Sequence, residues 1–168
     1  EDSELIKGVV ISKERANAEM PSKIEKARIL LVDFPLELRN PEMEARVNIS
    51  SPEQLEKFIE REENYLMDLT DKIMRSGANV VFCQKGIDDV AQYYLAKSGI
   101  LACRRVPKSD MEKIARATSG KIISNVNDIS LGLGYAERVD ELKKGEDYLI
   151  YITGCKNPRS LSIIIRGG

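Results

Sequence analysis

Apolar residues in this chain come in short runs parted by charged stretches, and the spacing within each run predicts its structure. IKGVVIS (Ile6 to Ser12) reads as a strand. RILLVDF (Arg28 to Phe34) reads as a buried strand that Pro35 stops. ANAEMPSKIEKA, between them, is polar and reads as a loop. PLELRNPEMEARVNIS follows, with Pro41 inside and Met43, Val47 and Ile49 as sparse apolar positions, and reads as extended and exposed.

The next stretch has the signals of one long helix. Ser51 suits the N-cap, Pro52 the first helical position, and Gln54 completes a capping box with Ser51. Gly77 is a terminator, so the helix is expected from about Pro52 to Ser76. At ~1.5 Å per residue it would be roughly 37 Å long, close to the roughly 40 Å diameter of a compact domain of this size. Its apolar residues fall in two groups, Leu55, Phe58 and Ile59 early, then Tyr65, Leu66, Leu69, Ile73 and Met74. EREEN (Glu60 to Asn64) separates them and offers nothing to bury. The later half can pack on a body. The early half is expected to project beyond it.

After Gly77 the period changes. ANVVFCQ reads as a strand, GIDDVAQYYLAKSG as a helix and ILACRRV as a strand, forming one parallel βαβ unit. Val90, Ala91, Tyr94 and Leu95 make the inward stripe of that helix, leaving Asp89, Gln92, Tyr93, Ala96 and Lys97 on its outer face. Asp88 and Asp89 suit the positive end of the helix dipole. SDMEKIARATSG is a short helix capped by Ser109 or Asp110, and KIISNV, DYLIYITGC and SLSIIIRGG are further strands.

Composition narrows the chemistry. The 168 residues are 42% apolar and 32% charged with net charge −1, which fits one soluble domain and offers no field to draw nucleic acid or an acidic membrane. No apolar run spans a bilayer. There is no His, which removes the commonest general base and most transition-metal sites. Cys83, Cys103 and Cys155 are too widely spaced for a zinc pattern and read as reduced thiols of a cytoplasmic protein. Gly132 and Gly134 lack the third glycine of a dinucleotide loop, and Gly120-Lys121 lacks the rest of a phosphate loop. Asp33, Arg104 and Arg105 are the remaining chemical candidates, each as readily a turn or edge residue. No catalytic, cofactor or metal residue emerges. Apolar residues on protruding elements point instead to protein contact. The abrupt ends, EDSELIKGVV and IIIRGG, suggest a domain excised from a longer chain.

ILLVDFPLE, NISSPEQLEKFIEREEN, the run from Ser76 to Gly120 and the closing IIIRGG resemble the apical domain of group II chaperonins, the archaeal thermosome among them. The resemblance covers nearly the whole chain and holds equally for alpha-type and beta-type subunits. It implies an α/β fold, a β/β/α body over residues 1–168, with a long helical protrusion at 37–76 inserted as a built-in lid. It implies a chaperone that binds unfolded polypeptides and closes a folding chamber in a double ring, with eight subunits per ring. ATP and Mg would act in an equatorial domain whose phosphate motif this chain lacks, so the fragment itself would not be an enzyme. The helix at Ile87 to Ser98 and the loop at Phe34 to Arg39 match the family's substrate contacts. The implied contacts are Asp89, Gln92, Tyr93, Ala96 and Lys97 on the helix and Phe34, Leu36 and Leu38 in the loop. Met43, Val47, Ile49, Leu55, Phe58 and Ile59 would form the lid tip. Family members carry a His-Pro-Gly-like stretch before MPSK, where this chain has ANAEMPSK (Ala16 to Lys23). Two other readings stand beside this one, a plain adaptor docking through its long helix and a small α/β enzyme with a site near Asp33 and Arg105.

Overall fold

The computed structural model describes residues 2–6, 8–38, 52–155 and 162–166, the two outermost segments by their backbone alone. Strand β1 (Asp2–Ile6) pairs antiparallel with β9 (Ser162–Arg166) as a separate ribbon. Among the described residues, the other strands join one sheet in the order β2-β8-β7-β3-β4-β5, with β6 beside β3. These are β2 (Gly8–Ile11), β3 (Lys23–Val32), β4 (Val80–Cys83), β5 (Leu101–Cys103), β6 (Ile122–Ile123), β7 (Gly134–Lys144) and β8 (Asp147–Cys155).

β3 is the hub of that sheet. Its residues from Lys23 to Ile29 run antiparallel to β7, whereas Ile29 to Val32 run parallel to β4. At Leu31 and Val32, β6 takes over the edge that β7 has left. The expected loop from Ala16 to Ala27 is therefore strand from Lys23 onward; cross-strand pairing outweighs its polar composition. β7 itself was not expected, since GYAERVDELKK has too few apolar residues to read as a buried strand. Its first residue must be small. A Cβ on Gly134 would lie 2.2 Å from Thr118 Oγ1, so the glycine lets the neighbouring helix pack close.

Alternation along the strands builds two cores, one on each face. Ile29, Leu31, Val80, Phe82, Leu101 and Cys103 face helix α3 (Lys108–Thr118), which contributes Met111, Ile114 and Ala117. Leu30, Val32, Val81, Cys83 and Ala102 face the other way, under α1 (Pro52–Arg75) and α2 (Asp89–Lys97). α3 begins at Lys108 behind Pro107, with no side-chain cap from Ser109 or Asp110. A 3-10 turn (Val126–Leu131) adds Ile129 to the second core.

The segment after β2 fastens across the sheet. Ala16 donates its amide to the Ala102 carbonyl of edge strand β5 (2.7 Å), and Arg15 forms an ion pair with the largely buried Glu141 of β7. Met20 is buried in the second core.

α1 runs from Pro52 to Arg75, as its spacing predicts; the expected cap Ser51 lies outside the described residues. Its buried stripe is Phe58, Glu62, Leu66, Leu69, Thr70 and Ile73. Two expectations are overturned here. The EREEN stretch does bury a residue, because Glu62 falls on the stripe between Phe58 and Leu66. Tyr65 and Met74, placed with the core group, are 43% and 45% exposed because they flank the stripe.

Candidate functional site

The β4–α2–β5 unit positions the outward helix. β4 and β5 pair in parallel, Val80 opposite Leu101, and α2 lies between them in sequence. Ala91 and Leu95 are fully buried and pin its inner side, while Val90 and Tyr94 are half-buried. Asp89, Tyr93 and Lys97 are exposed, and Tyr93 stands out at 57%. Lys97 Nζ sits 5.9 Å from the Tyr93 ring centre, and the Tyr93 and Tyr94 rings meet edge to face at 5.4 Å. Ala96 is half-buried.

Gln92 does not belong to the outer face. It is 4% exposed, and Nε2 donates to the Ile87 carbonyl at 2.7 Å. That carbonyl precedes the helix, and the amide side chain supplies its partner. Leu36 is likewise removed from the surface. It is fully buried in the second core and bridges to Ile87 in a short parallel pairing, while Phe34 and Leu38 pack half-buried against the same core.

Beside α2 lies a cleft that sequence reasoning missed. It runs between α1 and α2, measures about 480 Å³, and is lined by Met67, Met74 and Tyr94 with Asp68, Asp71 and Lys97 around them. Ser98 Oγ lies 2.9 Å from Met74 Sδ across it. Met67 and Met74 are spaced by seven residues, two helical turns, and that spacing was the available signal. Methionine side chains adapt to varied apolar partners. The Asp71–Arg75 pair on its rim (2.9 Å) is exposed and contributes little.

The early half of α1 presents Leu55 (37% exposed) and Ile59 (38%). Phe58, expected to be bare, is 7% exposed, with the Arg61 guanidinium 6.0 Å from its ring centre. Among the described residues it joins neither core cluster. Met43, Val47 and Ile49 lie outside the described residues.

Among the described residues, Asp33 and Arg105 meet different partners. Asp33 accepts a hydrogen bond from Ser124 Oγ (2.7 Å), whereas Arg105 Nη2 lies over Gly86. Neither residue lines the cleft between α1 and α2. Burial pushes the Cys83 and Cys155 thiols up to about 11 and raises Cys103 further, which suits packing residues better than nucleophiles. Among the described residues no cluster could hold a metal ion, and no helix is long and apolar enough to cross a membrane.

Comparison with known proteins matches residues 1–168 to the model of the TCP-1/cpn60 chaperonin family. The chain is 56% identical over 168 residues to thermosome subunit beta of Desulfurococcus mucosus, covering 99% of this chain and 34% of that one. It is 54% identical over 169 residues to a thermosome subunit of Methanopyrus kandleri, covering 100% and 31% respectively. Among solved structures, the open-state monomer of a group II chaperonin from Methanococcoides burtonii superposes with a TM-score of 0.76 at 39% identity, covering 99% of this chain and 36% of that one. The chain thus spans about a third of the length of the curated relatives it matches.

Proposed function

The chain belongs to the TCP-1/cpn60 chaperonin family, and we propose that it is the apical, polypeptide-binding domain of a group II chaperonin subunit. Residues 1–168 act as one domain, with 37–76 as a helical protrusion that serves as the lid. The whole subunit assembles into a double ring, eight to a ring, in the cytoplasm. It folds unfolded polypeptides with ATP and Mg bound in a part of the subunit outside this chain. The chain itself is not an enzyme.

One observation carries this reading. Tyr93, exposed and flanked by Lys97, stands next to an apolar cleft lined by two methionines. Such a surface fits a ligand recognised by apolar exposure alone. Burial of apolar area is non-directional, so it tolerates many sequences. Asp68, Asp71, Asp89 and Lys97 keep the same surface hydrated between binding events.

Titrating the chain against a fluorescently labelled protein, once native and once reduced and carboxymethylated, tests the proposal. Saturable binding to the unfolded form alone is expected, weakened by Tyr93→Asp. Binding to neither form would reject it, and binding only a folded partner would make the chain an adaptor. ATP turnover by the pure chain would overturn its non-catalytic assignment.

A further inference from the structure

We infer that Asp88 is a positioning residue that holds the loop at residues 34–38 against α2, so that loop and helix present one surface to polypeptide. The inference rests on the polypeptide-binding role proposed above, and it adds a residue that this role had not included.

Asp88 stands at the N-cap of α2 with extended backbone (φ −65°, ψ 155°). Aspartate there ordinarily accepts a bond from the second or third helical amide. This one makes no capping bond. Its Oδ2 accepts the Leu38 amide, fifty residues away in sequence. The carboxylate still lies at the positive end of the helix dipole, where its charge is favoured. A bond from an amide to a carboxylate is stronger than one to a neutral acceptor.

The backbone completes the attachment. The Asp88 amide donates to the Leu36 carbonyl (2.9 Å), and the Leu36 amide donates to the Gly86 carbonyl (3.0 Å). Gln92 Nε2 holds the Ile87 carbonyl from inside. Leu36 is buried beneath this bridge. The Leu38 amide is the outermost link, and Asp88 is the side chain that secures it. Held this way, Phe34 and Leu38 need no ordering when a polypeptide arrives, which removes part of the entropic cost of binding.

Three variants separate positioning from capping. Asp88→Asn keeps an oxygen that can reach the Leu38 amide. Asp88→Ser keeps a good N-cap, but its hydroxyl is too short to reach Leu38. Asp88→Ala keeps neither. Two readouts are taken on the 168-residue chain, amide hydrogen exchange at Leu38 and affinity for the reduced, carboxymethylated protein. Both Ala and Ser are expected to speed exchange at Leu38 and weaken affinity roughly three- to tenfold, with Asn close to the parent in both. Leu38→Ala should then weaken binding in the parent and not in the Ser variant. Recovery by Ser would mean that Asp88 acts only as a cap, and unchanged Leu38 exchange in all three would overturn the inference outright. Should the parent chain fail to bind the unfolded protein, the function proposed above falls. Leu38 exchange would still decide whether Asp88 holds the loop.

Discussion

The two halves of α1 carry the same stripe and rest on different support. From Leu66 to Ile73 the stripe is sealed into the second core, with Leu66, Leu69 and Ile73 no more than 2% exposed. From Pro52 to Asn64 it continues through Phe58 and Glu62, both buried, yet Phe58 belongs to neither core cluster among the described residues. Leu55 and Ile59 beside them remain more than a third exposed. One helical period therefore runs through two settings, a stripe sealed into the second core and a stripe with part-exposed apolar residues beside it. Periodicity tells which side of a helix is apolar; the length of helix that the body can cover is set by the body's own dimensions.

The sharpest way to break this contrast is a truncation in the anchored half. Leu66→Ala should cost about 2–5 kcal/mol, read as a lower urea midpoint, because it opens a cavity in a sealed core. The equivalent change further out, Phe58→Ala, should cost less, about 1.5–3 kcal/mol, since burial is lost without a core cavity. Equal losses at both sites would erase the distinction and make the whole helix part of one core.

Alkali should strike the body and spare the early half of α1, since all three cysteines lie on β4, β5 and β8. Burial pushes Cys83 and Cys155 up from 9.0 to about 11, so the folded state favours the protonated thiol. Their contribution is whole below pH 9 and is lost as pH rises toward 11. Stability should fall by about 3 kcal/mol for Cys83 across that window, and by less for Cys155, whose partial exposure screens it. Urea titrations at stepped pH check this, and a Cys83→Ala chain should lose less. A profile that stays level for the parent would mean these thiols are hydrated.

The smallest effects belong to the exposed positions. Leu55→Ser, Ile59→Ser and Tyr93→Ala should each change stability by no more than about 0.5 kcal/mol. Tyr93→Ala should nevertheless weaken capture of an unfolded protein severalfold, as expected for an aromatic anchor. Calorimetry beside a binding titration distinguishes the two properties. A large stability loss at Leu55 or Ile59 would show that they are core residues.

Much of the scaffold was legible from the chain alone. β8 and α1 follow from local pattern and from Pro52 and Gly77 as punctuation. β7 was not legible, because GYAERVDELKK owes its extended form to partners on both sides, β3 and β8. The candidate surface was half legible. Tyr93 and Lys97 could be placed by counting around a helix. Gln92 and Leu36 could not, since a buried amide meeting the Ile87 carbonyl and a leucine bridging to Ile87 are contacts between specific atoms. Met67 and Met74 were visible at seven-residue spacing, but their meaning depended on α2 lying alongside.

By itself the sequence determined the family, the α/β character, the long helix and which side of each helix is apolar. These depend on near neighbours in the chain: steric limits on the backbone, side-chain period and terminal punctuation. Only the tertiary structure decided which residues of α1 are buried, which apolar residues stay open, and that Asp88 reaches Leu38 instead of capping its own helix. Those outcomes depend on groups that are distant in sequence and adjacent in space. Their free energy arises from burial and hydrogen bonding that exist only once the sheet has brought them together.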